Sequence, residues 1–140
     1  GEAALKSYRQ ALEREPSFGP ASVNLADLLR ALDRNEEGIQ VLQDAITLVP
    51  NDAGLHHALG LALVRGGNKE GAIVSLARAV QLAPESPRYA LVHAVALHDS
   101  DRGKDAIEAL EAALRIHPED RDLNGALLQY RADVEQDKES

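Results

Sequence analysis

Five histidines, His56, His57, His93, His98 and His117, are the side chains of this sequence best suited to metal or acid–base chemistry. A zinc site needs three or four ligands converging on one point. Adjacent His56 and His57 point about 100° apart on a helix, so they cannot share an ion. His93 and His98 are five residues apart, beyond the i,i+4 spacing that puts two ligands on one helical face. His56 and His93 meet only if successive segments stack, and no carboxylate at ligand spacing completes a set. With no cysteine in the chain, thiolate ligation, disulfides and Cys nucleophiles are excluded. The sequence predicts no metal and no cofactor.

Carboxylates offer no better constellation. Glu36, Glu37, Asp105, Glu108 and Glu111 fall on outer helix faces with Lys69, Arg78, Lys104 and Arg115, the pattern of a solvated, ion-paired surface. Gly66-Gly67 reads as a turn between helices, and no Gly-rich phosphate loop exists. The chain is expected not to be an enzyme.

The elements that must position these residues follow from a fixed interval. Pro16, Pro50, Pro84 and Pro118 are 34 residues apart. Ala4, Gly38, Ala72 and Ala106 share the period, as do Ala11, Ala45, Ala79 and Ala113, and Tyr8, Leu42, Leu76 and Leu110. A further small column, Ala26, Gly60 and Ala94, occupies the middle of the chain. Internal periods of this length mark stacked repeats. Two helices approach closely only where one presents Ala or Gly, which explains the small columns.

Segments 20–32, 36–48, 53–65, 69–82, 87–99 and 103–116 carry apolar residues at three- and four-residue spacing, as amphipathic helices require. Pro20 and Pro87 suit a first helical position, and Asn35, Asp52, Asn68 and Asp120 suit N-caps. The periodic prolines end helices by withholding an N–H donor.

On these residues the chain resembles the tetratricopeptide repeat (TPR) family. The closest copy of that family's pattern runs His56-x2-Leu59-Gly60-x2-Leu63, Ala72-x3-Leu76 and Pro84. Neighbouring copies run through Ser22, Leu25, Ala26, Leu29, Gly38, Leu42 and Pro50, and through Ala90, His93, Ala94, Leu97, Ala106, Leu110 and Pro118. The resemblance implies an all-α, right-handed superhelical solenoid of antiparallel helix pairs, about eight helices in one domain. Residues 1–18 match the second helix of an incomplete repeat, 19–52, 53–86 and 87–120 are full repeats, and 121–140 holds a closing helix with a frayed tail. The missing first half-repeat and the absence of methionine read as a piece of a larger protein. In the closing helix, Leu123, Ala126, Leu127 and Tyr130 form the expected inward side, and the charged run 133–140 is expected to fray.

The resemblance also implies where a partner would sit. First helices of successive repeats line a concave groove, which here gives Asn24, Asp27 and His57 as hydrogen-bonding contacts. Leu61, Val64, Leu91, Val95 and His98 would form an apolar bed. Segment 89–98 is apolar nearly all round, so it is expected to be covered by ordinary packing of neighbouring helices, by a partner, by a second copy or by the closing helix. One subclass of the family grips the carboxylate tail of heat-shock chaperones with Lys and Asn side chains. The matching residues here are Val23, Asp27, Ala58, Arg88 and Val92, and only Arg88 keeps that character, so this ligand is not implied. His93 stands in a leucine column with Leu25 and Leu59 and is expected to loosen its repeat when it protonates.

Composition narrows the function classes. A net charge of −8 without a basic cluster argues against nucleic acid. Three Tyr and one Phe give no stacking platform for bases. No run approaches the roughly 18 apolar residues of a membrane span. The expected function is a protein–protein interaction scaffold that binds a peptide or protein segment, the alternative being a self-associating (homo-oligomeric) or spacer module of a larger bacterial protein. A soluble chain of cytoplasm or periplasm is expected.

Overall fold

A computed structural model describes residues 1–15 and 19–139. Among them are eight helices and no strand: α1 (Glu2–Arg14), α2 (Gly19–Ala31), α3 (Asn35–Leu48), α4 (Ala53–Arg65), α5 (Lys69–Leu82), α6 (Pro87–Asp99), α7 (Gly103–Ile116) and α8 (Arg121–Glu139). The helices form two compact units, Gly1–Leu82 with α1 to α5 and Ala83–Ser140 with α6 to α8.

The same neighbour rule operates inside each unit. In the first, α2 packs on α3 and α4 on α5; α1 also packs on α2, α3 on α4, and α2 on α4. In the second, α6 packs on α7, α7 on α8, and α6 on α8. The first unit's core joins Leu5, Leu25 and Leu29 in one cluster and Ala26, Ile39, Leu42, Ala45, Leu55, Leu59 and Ala62 in another. The second buries Ala94, Leu97, Ala106, Leu110 and Leu123. Leu123, Leu127 and Tyr130 are the buried side of α8, within the inward set that the sequence predicts, while Leu128 is 75% exposed.

Both ends of the helices obey local chemistry. Asp52, Asp120 and Asn68 accept hydrogen bonds from Leu55 N (3.1 Å), Leu123 N (2.9 Å) and Gly71 N (2.9 Å), satisfying donors that a helix start leaves open. Ser86 caps α6 through Tyr89 N with Pro87 in the first turn. Asn35 departs from expectation. The N-cap of α3 is Arg34, and the Asn35 amide instead donates to Ala62 O of α4 at 3.0 Å, tying two neighbouring helices together. Helices α3, α5 and α7 each stop two residues before a periodic proline, because the residue preceding proline is pushed out of the helical region. Pro16 lies outside the described residues.

Within each pair the turn is a Schellman motif. The amides of Arg34, Asn68 and Arg102 donate five residues back to Leu29, Leu63 and Leu97. The residue before each, Asp33 (φ 60°), Gly67 (φ 83°) or Asp101 (φ 61°), takes the left-handed conformation the motif requires. The charged run expected to fray remains helical through Glu139. Asp133 is held by Gln129 at 3.0 Å and by His98 at 3.1 Å, and Lys138 lies 3.8 Å from Glu135.

Glycines in two helices have opposite surroundings. A Cβ on Gly60 would lie 2.6 Å from Cγ and Cδ2 of Leu76, which is fully buried, and 3.3 Å from Ala72 O. On Gly125 a Cβ would meet nothing within 4 Å. Gly60→Ala is therefore expected to lower stability by about 1–2 kcal/mol, overpacking outweighing the gain in helix propensity. Gly125→Ala is expected to raise it by about 0.5–1 kcal/mol. Urea unfolding midpoints check both signs.

Candidate functional site

In the first unit, the expected contact residues are Asn24 and Asp27 on α2 and His57, Leu61 and Val64 on α4, and the packing of α2 on α4 brings them onto neighbouring helices. Asn24 and Asp27 are exposed, Leu61 is half-buried and Val64 is 47% exposed. His57 is only 7% exposed, so little of its ring reaches the surface where the sequence suggests a hydrogen bond to a partner. The two helices carry Asp27, Arg30 and Arg65 as their formal charges, a net positive balance in a chain of charge −8. Burial, and then the Arg30 charge, lower the affinity of the Arg65 guanidinium for its proton, while Asp27 acts the other way. The Arg65 guanidinium of α4 thus lies within electrostatic reach of Arg30 and Asp27 of α2.

In the second unit, Leu91, Val95 and His98 lie on α6. Leu91 is half-buried and Val95 is 37% exposed. His98 is engaged by the chain itself. Its ring stacks on Tyr130 of α8, centroids 4.0 Å apart and planes 4° from parallel. His98 Nε2 is 3.1 Å from Asp133 Oδ2, and because a carboxylate only accepts, the ring nitrogen donates. Asp99 Oδ1 lies 3.7 Å from Nδ1. Of the expected covers for segment 89–98, α7 packs along α6 and α8 covers its His98 end. The sequence signal for this set is its spacing: Asp133 follows His98 by 35 residues, one more than the repeat, which places it on the adjacent first-type helix.

The other histidines have separate tasks. His56 Nε2–H donates to Pro50 O at 2.8 Å and His117 Nε2–H to Pro84 O at 3.2 Å, so each braces the turn before it or the preceding repeat's end. Among the described residues no three His, Asp or Glu side chains gather as metal ligands would. No helix among them is long and apolar enough to cross a membrane. The acidic surface is ion-paired in places, with Glu37 on Arg34 at 2.7 Å, Asp105 on Arg102 at 2.9 Å and Glu111 on Arg131 at 3.4 Å. A cleft of about 600 Å³ opens in the first unit, lined by Leu12 of α1, Leu25 and Leu29 of α2 and Val41 of α3, and none of the expected contact residues lines it.

Two family models described as tetratricopeptide repeat match the chain, over residues 1–60 and 57–121. Protein FlbA of Caulobacter vibrioides is 32% identical over 129 residues, which are 92% of this chain and 21% of that protein. The Vi polysaccharide export protein VexE of Salmonella typhi is 31% identical over 113 residues, 78% of this chain and 17% of that protein. The chain spans about a fifth of the length of these curated relatives. Among solved structures, the MamA protein aligns with a TM-score of 0.77 and 21% identity over 98% of this chain and 75% of its own. TTC0263, a thermophilic TPR protein of Thermus thermophilus, gives 0.75 and 24% over 92% and 72%. YrrB, described as a TPR protein with an unusual peptide-binding site, gives 0.75 and 17% over 93% and 67%. At these identities the likeness is one of fold, the all-α helical-repeat class that the sequence predicts.

His93 provides a pH test. Burial, and secondarily the Arg102 charge, hold its imidazole below the ordinary value of 6.5. The unfolded chain then takes up this proton at higher pH than the folded one. The neutral ring's contribution to stability is complete above the unfolded value and is lost as pH falls through the folded value. Stability should fall between about pH 7 and pH 5, and His93→Leu, which restores the column residue, should remove that part of the slope. An NMR titration of His93 beside urea midpoints checks this; no His93 transition linked to stability in that window contradicts it.

Proposed function

We propose that this chain, which belongs to the tetratricopeptide repeat family, is a non-catalytic interaction module that binds a peptide or protein segment against the first-helix faces of its repeats. The carrying observation is α4, which is apolar for most of its length yet leaves Val64 47% exposed beside half-buried Leu61. Apolar surface of this kind, bordered by polar groups, marks an interface more often than an inert surface. Asn24 and Asp27 on neighbouring α2 supply hydrogen-bonding groups at its edge. In the second unit Leu91 and Val95 give α6 an aliphatic character of its own, with His98 already held by α8. The peptide-binding description of YrrB supports the ligand class. The repeat frame that carries these faces is 1–18, 19–52, 53–86, 87–120 and a closing 121–140. An enzyme would need a converging set of reactive groups, whereas His56, His98 and His117 are bonded separately to Pro50 O, Asp133 and Pro84 O.

A phage-displayed peptide library tests the reading. The wild-type chain is expected to enrich reproducible binders, and the double substitution Leu61→Ala with Val95→Ala to weaken them about tenfold or more at unchanged helicity. Failure to enrich any peptide, or unaltered affinity in calorimetric titration, contradicts it.

A further inference from the structure

The cleft of the first unit, where α1 and α3 flank α2, lies apart from every contact that the proposed function uses. Its volume of about 600 Å³ is that of an ordinary ligand cleft, for which roughly 300–1,000 Å³ is usual. Leu25 and Leu29 of α2 are themselves buried, so an occupant meets chiefly half-buried Leu12 of α1 and Val41 of α3. Around this apolar surface stand three carboxylates, Glu13, Glu37 and Asp44, and one guanidinium, Arg9. We propose that the cleft is a docking site for a basic amphipathic segment of another protein. The segment's apolar side chains enter between α1 and α3, and its Lys or Arg heads pair with Glu13 and Asp44.

Repeat packing accounts for the apolar residues of the cleft but not for its charges. One period on, the places of Leu12, Leu25 and Leu29 are held by Ile46, Leu59 and Leu63. The three carboxylates recur together in no other copy. Thr47, Gly71 and Arg78 take their places in the next, and Gln81, Asp105 and Ala112 in the one after. The apolar column is scaffold, then, while the acidic rim belongs to this cleft. Glu37 is already neutralised, 2.7 Å from Arg34 and 3.5 Å from Arg9. Asp44 accepts the Gln40 amide at 2.8 Å, and neither Asp44 nor Glu13 stands in an ion pair among the described residues. Both are exposed and accept without donating, so each has capacity for an outside cation. Lys and Arg suit the site twice over, because their aliphatic stems cover apolar surface while their heads reach a charged edge. A second copy is disfavoured by charge, since it would bring −8 to an acidic rim. No residue of the cleft is shared with the first-helix contact set, so the inference stands apart from the proposed function.

Amide chemical shifts of the full chain, titrated with a short leucine–lysine peptide and with its leucine–glutamate counterpart, test the site. The lysine peptide is expected to produce saturable shifts confined to α1, α2 and α3 around the cleft. The glutamate peptide should bind at least about threefold more weakly, the scale of two exposed ion pairs, and added salt should narrow the difference. Glu13→Lys with Asp44→Lys alters two exposed side chains outside any ion pair, so the fold should persist, and the preference should reverse. Leu61→Ala with Val95→Ala should leave binding at the cleft unchanged, which separates this site from the first-helix faces. The proposal is overturned if the cleft amides do not shift, if shifts spread over the whole acidic surface, or if the charge-reversed variant keeps the wild-type preference. Sedimentation showing a dimer that closes the cleft would assign it to a second copy and would equally overturn it.

Discussion

The separation of α4 and α5 is set by a hydrogen atom. At Gly60 any larger substituent would run into Leu76, whose side chain is fully buried and has nowhere to move. The other pairs solve the same problem with different residues. In the α2–α3 pair the glycine is on the second helix, where a Cβ on Gly38 would come within 3.2 Å of Ala26 O. In the α6–α7 pair both positions are alanine, Ala94 and Ala106, each fully buried. A pair of small residues at each crossing is the constraint, and the 34-residue period is how the chain meets it again in each copy.

Helix ends turn that crossing into a repeat of fixed length. The Schellman turns stop each first helix at the same register, and the prolines stop each second helix two residues early. With both ends fixed, the face of α2, α4 or α6 not used in pairing comes round at the same positions in every copy. Function can therefore vary there without disturbing the scaffold. Asp27 and Leu61 occupy equivalent positions, as do Arg30, Val64 and His98, and their chemistry differs sharply. The scaffold is repetitive while its displayed surface is not.

Helix boundaries are legible in the sequence to within a residue or two because periodic apolar spacing, prolines and capping side chains all mark the same limits. The left-handed turns are half legible. Gly67 announces itself, whereas Asp33 and Asp101 are recognised only by sharing its column, since aspartate is one of the few side chains that tolerates positive φ. Asn35 cannot be read, because a short amide near a helix start can cap its own helix or reach the next, and only the packing of α3 on α4 decides. His98 and the tail of α8 share that cause. Their contacts join helices a full repeat apart, and a charged run looks frayed until its anchoring partner is known.

The close approach at Gly60 is tested most directly by a double-mutant cycle with Leu76. Leu76→Ala alone should cost about 2–5 kcal/mol by opening a cavity. Into that cavity the extra methyl group fits, so Gly60→Ala should lose its penalty in the Leu76→Ala background, a favourable coupling of about 1 kcal/mol or more. Strictly additive stabilities would show that the two helices are not held apart by these atoms, and would contradict the account.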